Sequence, residues 1–187
     1  MKVLIIPEDF VNDEHILQPV IEAMMKAKNK KNAKVRVCKD PRLQGVSQAL
    51  KWENIEKIID RYRMIDLFLL CIDRDGVETR KERLNNIEQK ASEMLPEGKL
   101  FLAENAWQEV EVWILAGHKK LPTEWKWEEI REEINPKEVY FEPFAKQRNL
   151  LSEPGKGRKT LGREAARNYR RIRRLCPEVA DIEERII

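Results

Sequence analysis

IDLFLLCIDRDG, residues 65–76, is the stretch on which the fold turns. Residues 65–72 carry one charge, Asp66, and form the most apolar run in the chain. A continuous run of this length, bounded by turn residues, reads as a strand buried on both faces. It should be the central strand of a sheet. The run stops at Asp73-Arg74-Asp75-Gly76, so two carboxylates stand where the strand leaves the core.

Toward the N-terminus, residues 3–6 (VLII) stop at Pro7 and predict a second buried strand. Asn12 or Asp13 can then cap a helix whose apolar face is Ile16, Leu17, Val20, Ile21, Met24 and Met25. Residues 34–39 (KVRVCK) alternate strictly, the pattern of a strand with one exposed face near a sheet edge, closed by Asp40-Pro41. Residues 47–62 place Leu50, Ile55, Ile58, Ile59 and Tyr62 at helical spacing. Toward the C-terminus, residues 79–95 predict a charged amphipathic helix on Leu84, Ile87, Ala91 and Leu95. A short strand follows at 100–103, then a helix at 108–117 ending at Gly117. Strand and helix alternate four times, which predicts an α/β fold: a largely parallel, Rossmann-like sheet flanked by helices.

Beyond Lys119 the alternation decays. Val139-Tyr140-Phe141 predicts a further strand, residues 152–159 a Pro/Gly/Lys loop, and residues 161–175 and 177–186 two final helices. The expected organisation is an α/β core over 1–118 and a C-terminal helical extension over 119–187 that carries the basic segment.

The chain has 187 residues, enough to bury a sizeable core, and 37% of them are charged. The net charge of +3 conceals an asymmetry. Between Lys146 and Arg174 eleven basic residues face two acidic ones, a local charge of +9, so the rest of the chain carries −6. An acidic body with a basic arm suits a polyanionic partner. The three cysteines, Cys38, Cys71 and Cys176, are widely spaced, and no CxxC pair exists. That argues against a zinc site or a disulfide framework and for thiols in a reducing cytoplasm. No apolar run is long enough for a signal peptide or a membrane span, so a soluble, cytoplasmic protein with no membrane partner is expected.

Three acidic clusters follow strands. Glu8 and Asp9 follow the first, Asp73 and Asp75 the third, and Glu109 and Glu111 the fourth. Ligands of parallel α/β sheets bind outside the carboxyl ends of the strands, where all three clusters fall. If the first and third strands are neighbours, Glu8 converges on Asp73 and Asp75. Oxygen donors without a histidine or cysteine cluster favour Mg²⁺ or Mn²⁺ over zinc. Among 33 acidic residues, a carboxylate after a strand is commonly a helix cap or a solvated loop residue, and Glu111 would also suit an exposed helix face. The coincidence of three clusters at three strand ends favours a site.

Other motifs carry less. FLLCIDRDG also resembles the first motif of haloacid-dehalogenase-type phosphatases, with Asp73 as nucleophile and Asp75 as general acid/base. A whole strand–helix–strand–helix precedes it here, however, and no downstream acidic pair of that family follows. Gly155-Lys156-Gly157-Arg158-Lys159-Thr160 lacks phosphate-loop spacing, and His15 and His118 are isolated. Arg163, Arg167, Arg170, Arg171 and Arg174 recur at helical spacing around Tyr169. This suits contact with a nucleic-acid backbone, although many charged helices bind nothing.

Taken together, Glu8 after the first strand, Asp73/Asp75 after the third, and Glu111-Val112-Trp113 on a later helix resemble the TOPRIM-like proteins. The resemblance is to the bacterial family called domain of unknown function 4276, related to RloB and to the nuclease halves of OLD-type proteins. The basic stretch from Lys159 to Tyr169 and the following Cys176-Pro177-Glu178-Val179 fit it as well. Two positions depart from the pattern. Glu8-Asp9 replaces a Glu-Gly pair, and Asn12-Asp13-Glu14 replaces a Thr-Glu helix start, which leaves open whether Glu8 or Glu14 takes the acidic role there. The resemblance implies Mg²⁺-dependent cleavage or rearrangement of nucleic-acid phosphodiesters, in defence against phage or mobile DNA, beside an ATPase partner. It implies Asp73, Asp75 and Glu111 as metal ligands, Glu8 as general acid/base or further ligand, and Lys159 as a phosphate contact. Arg163, Arg167 and Arg170 would extend that nucleic-acid contact. A non-catalytic subunit that binds nucleic acid or an ATPase is the alternative.

Overall fold

The computed structural model describes residues 1–186. Four strands, β1 (Lys2–Pro7), β2 (Lys34–Val37), β3 (Leu67–Asp73) and β4 (Leu100–Ala106), form one sheet in the order β2-β1-β3-β4, every neighbouring pair parallel. The alternating strand β2 lies at an edge. The two uninterrupted apolar runs, β1 and β3, lie side by side inside.

Period-two burial distributes the strands between two cores. Val3, Ile5, Leu67, Leu69, Cys71 and Leu102 face one side, where α1 (Glu14–Ala27) supplies the six apolar residues expected of it. Leu4, Ile6, Phe68, Leu70, Ile72 and Phe101 face the other. There they meet α2 (Val46–Ala49), α3 (Trp52–Arg61) and α4 (Arg80–Met94) through Ala49, Ile55, Ile58, Leu84 and Ile87. Covering both faces is what an all-parallel sheet requires.

The helix expected over 47–62 is broken in two. Lys51 is extended, and the Asn54 amide donates to the Gln48 carbonyl at 2.9 Å, satisfying an acceptor freed by the end of α2. After α5 (Glu111–Gly117) and α6 (Trp127–Glu132), the strand expected at 139–141 is instead a π-helical turn, Lys137–Phe141, that runs into α7 (Glu142–Gln147). Phe141 is buried and Tyr140 packs edge-on against Trp125, whereas Val139 is exposed. Three apolar residues in a row carry β propensity, but the positions that reach the core decide the backbone.

The final helices are α8 (Arg158–Ala166), α9 (Tyr169–Leu175) and α10 (Pro177–Arg185). Where one helix was expected over 161–175, the chain breaks at Asn168, whose amide donates to the Gly117 carbonyl at the end of α5. Leu161, Ala165, Ile172, Val179 and Ile182 are buried in the same core as α1. Residues beyond 118 therefore complete one face of the sheet. The seating of α8 is close. A Cβ at Gly162 would stand 2.3 Å from the His15 carbonyl oxygen, and one at Gly117 would stand 2.5 Å from the Ala165 Cα. Glycine is required at both positions by proximity. No helix among the described residues is long and apolar enough to cross a membrane.

Candidate metal centre

The sheet changes direction between β1 and β3, since the chain goes to β2 on one side of β1 and returns to β3 on the other. The crevice at the carboxyl ends of two such strands is where open α/β sheets hold ligands. Pro7 is in register with Cys71, so Glu8 emerges beside Asp73. A Glu8 carboxylate oxygen lies 3.4 Å from the Asp73 backbone nitrogen, which donates toward it.

Asp73, Asp75 and Glu109 each offer a carboxylate oxygen, and these oxygens lie within 4.8 Å of one another. The three residues form a group able to hold a metal ion. Asp73 accepts a hydrogen bond from the Val110 backbone N–H at 2.9 Å. Asp75 is brought round by a left-handed turn, φ 52° at Asp75 and 68° at Gly76. Aspartate tolerates that conformation and glycine adopts it freely. Gln108 fixes the turn from the β4 side. Its carbonyl accepts from the Arg74 and Asp75 N–H groups at 2.8 and 3.1 Å, and its side-chain oxygen accepts from Gly76 N–H at 2.9 Å. Arg80, itself buried, reaches the Asp75 carboxylate at 3.5 Å. Glu109 accepts from the Lys137 N–H at 2.8 Å.

Two more carboxylates close the group. Asp13, expected as a helix cap, makes no side-chain cap to α1; instead it accepts the Asp9 N–H at 3.1 Å and is 6% exposed. Glu111 is 3% exposed and is held by Arg158, whose Nε and Nη2 donate to one carboxylate oxygen at 2.8 and 2.6 Å. The exposed helix face weighed for Glu111 is thus replaced by a buried ion pair. Glu109, on the loop before α5, supplies the third oxygen of the group with Asp73 and Asp75. Glu14 pairs with Lys39, so Glu8 is the one of the two that stands beside Asp73.

Burial and crowding raise Asp73, Asp13, Glu109 and Glu8 together. Desolvation pushes Asp73 well above the usual carboxylate range, Glu111, Glu8 and Asp13 add to it, and the Val110 N–H opposes it. Burial, with smaller contributions from Glu111 and Glu8, lifts Asp13 to about 8 against the Asp9 N–H. Glu109 is lifted to about 7 by burial, the Lys137 N–H opposing. Glu8 is raised, chiefly by burial, against its bond from Asp73. Packed carboxylates that resist ionisation are a site for a compensating cation, and perturbed groups in a crevice mark functional sites.

The basic residues read as nucleic-acid contacts divide between two places. Lys159 and Arg163 line a cleft with His15, Gln18 and the carboxylates of Glu14 and Glu22 along the first half of α1. Arg167 and Arg170 line a larger groove at the far end of α1. Arg158, counted in the same basic stretch, turns inward to Glu111, and Arg148 and Arg173 pair with Glu164 and Glu183. Asp13, Gln108 and Arg158 were not singled out as site residues from sequence. A cap, a loop amide and one arginine among many give no signal of convergence. No family model, curated protein or solved structure matches the chain.

Proposed function

We propose that the protein is a metal-dependent nuclease of TOPRIM-like type, hydrolysing nucleic-acid phosphodiesters with Mg²⁺ or Mn²⁺. The observation that carries this is the convergence of Asp73, Asp75 and Glu109 from the ends of β3 and the β4–α5 connection, with Glu8 from β1 beside them. The all-oxygen donor set fits a hard divalent cation, and Asp73, Asp75 and Glu109 would hold it. Such an ion supplies Lewis-acid stabilisation of the charge that builds on a phosphoryl group.

The chain's own residues supply the rest. Glu8 stands beside Asp73, and burial raises its pKa above the usual carboxylate range, which suits it to hold and return a proton as a general acid/base. Gln108 and Arg80 fix the turn that presents Asp75. Arg158 occupies one carboxylate oxygen of Glu111, whose charge adds to burial in raising the pKa of Asp73. Lys159 and Arg163, exposed beside the start of α1, would contact the phosphodiester backbone. An ATPase partner and a role in defence against phage or mobile DNA follow from the resemblance to the TOPRIM-like family and are part of the same proposal.

Cleavage of supercoiled plasmid with Mg²⁺ or Mn²⁺, by the wild-type chain and by Asp73→Asn, tests it. Nicking that the substitution abolishes supports a nuclease centre. A folded protein that binds metal and cuts neither DNA nor RNA sinks the reading in favour of a non-catalytic nucleic-acid or ATPase-binding subunit. Turnover of small phosphate esters through a covalent Asp73 intermediate would instead mark a phosphatase.

A further inference from the structure

The larger basic groove, about 600 Å³, lies where the last turn of α1 meets the end of α8 and α9. Six cations line it: Lys26, Lys119, Arg167, Arg170, Arg171 and Arg174. No carboxylate shares the lining, and among the described residues none of the six forms an ion pair. This contrasts with Arg148, Arg158, Arg173 and Arg185, each of which holds a glutamate. The Nε of Arg171 is shut off from solvent and bonds to nothing. Arg170 and Arg174, one turn apart, and the adjacent Arg171 lie on α9, and Arg167 joins them in the groove from the end of α8. The folding chain has thus gathered six like charges from three separate segments around one concavity, against their mutual repulsion. A polyanion relieves it.

Position says which polyanion. Helix α1 has 14 residues, so the groove lies about 20 Å along it from the acidic crevice at its start. Lys159 and Arg163, in the cleft beside that start, precede Arg167 in steps of four along the same helix. Six cations from three segments, unpaired among the described residues and continued along α8 by Arg163 and Lys159 into a cleft that Glu14 and Glu22 also line, suit a long phosphodiester chain better than a small phosphate. The one aromatic in the groove lining, Tyr169, is buried, and its hydroxyl is bonded to Glu183. Single-stranded nucleic acid is held largely by stacking bases on exposed aromatic rings, and this groove offers none. Contacts to phosphates alone suit a duplex, whose bases stay stacked.

We propose that this groove is an exosite gripping the phosphate backbone of double-stranded nucleic acid, remote from the acidic crevice. The inference deepens the nuclease reading by naming the substrate as a duplex and adding a second point of attachment. It is tested by binding without cleavage. Anisotropy of a labelled random-sequence duplex is followed in EDTA, in the Asp73→Asn background, so that failure of the nuclease reading leaves this measurement intact.

Arg167→Ala/Arg170→Ala/Arg174→Ala, three exposed positions, should weaken duplex binding at least about tenfold at moderate salt. It should also flatten the slope of log affinity against log salt by about 3, near 0.9 for each lost phosphate contact. Lys57→Ala/Lys90→Ala, on α3 and α4, should leave both unchanged. A single strand of the same length should bind several-fold more weakly than the duplex. An unchanged slope in the triple variant, or a single strand that binds as tightly as the duplex, overturns the proposal. So does tighter binding to vesicles containing phosphatidylglycerol, lost in the same triple variant, which would make the groove a lipid-headgroup surface.

Discussion

The two ends of α1 handle charge in opposite ways. At its start, Asp13 is 6% exposed among Glu8, Asp73 and Glu111, and its pKa is lifted to about 8. At its far end, Lys26, Arg167, Arg170 and Arg174 are exposed, and no carboxylate lines the groove they share. Burial separates the cases. A carboxylate withdrawn from water must be neutralised by a proton, an arginine or a metal, whereas an exposed cation is solvated at little cost. The acidic end should therefore govern stability and its response to pH and metal, and the basic end should govern binding alone.

The largest expected effect follows from protons. Asp13 moves from 3.8 to about 8 on folding and Glu109 from 4.5 to about 7, while Asp73 and Glu8 move in the same direction. Acids raised by folding bind protons more tightly in the folded chain, so between about pH 4 and pH 8 the folded state holds more of them. Stability of the metal-free protein should then fall as pH rises through that window, by an amount on the order of a few kcal/mol. Urea denaturation in chelator at pH 5 and pH 8 measures it. Mg²⁺ or Mn²⁺ should restore more stability at pH 8 than at pH 5, because protons and metal compete for the same oxygens. Asp73→Asn should stabilise the metal-free chain at pH 8 while removing the metal effect. A flat profile with no metal effect would mean that the carboxylates relax into solvent, and the contrast between the two ends would fail.

Arg158 is next. Its guanidinium is the buried counter-charge of Glu111, and Arg158→Ala leaves that carboxylate enclosed and alone. Breaking a buried pair from one side costs about 3–5 kcal/mol. Adding Glu111→Gln should recover most of the loss, since the stranded charge rather than the missing contact dominates. A double variant no more stable than Arg158→Ala would show that packing of the arginine, including its place over Phe141, dominates instead.

How α8 is held links the two ends, because one helix carries Arg158 inward and Lys159 and Arg163 outward. Gly162→Ala would press a methyl group onto the His15 carbonyl, and backbone of α1 cannot swing aside as a side chain could. Overpacking of this kind costs about 1–3 kcal/mol, more than the helix propensity gained. Chemical denaturation gives the loss.

The contrast also explains what could be read from the chain. Strands and their partners were legible because apolar runs and alternation report burial directly, and residues 65–72 and 3–6 became the two inner strands. Glu8, Asp73 and Asp75 were legible because position after a strand is a sequence property. Arg158 was not, because Glu111 is 47 residues away and nothing local separates one inward arginine from its outward neighbours. Asp13 read as a cap for the same reason: its cap position is local, whereas its burial among Glu8 and Glu111 is not. The breaks at Lys51 and Asn168 escaped because amide side chains bonded to backbone carbonyls, Asn54 to Gln48 and Asn168 to Gly117, accompany them, and the turn at 137–141 escaped because the positions that reach the core outweigh local β propensity.

The smallest effect is the sharpest discriminator. Arg170 is exposed and unpaired, so Arg170→Ala should change unfolding free energy by no more than about 0.5 kcal/mol, the range of ordinary surface substitutions. Loss of like-charge repulsion around the groove could move it only toward greater stability. The same substitution should weaken duplex binding and lower its salt slope by about 0.9, one phosphate contact. If stability fell by more than 1 kcal/mol, Arg170 would be part of the packing of α9, and weakened binding could not be assigned to a lost contact. A silent thermodynamic change joined to a measurable binding loss is the reverse of Asp73→Asn, where removing a charge should stabilise the metal-free fold and abolish its response to metal. That opposition follows from burial at one end of α1 and solvation at the other.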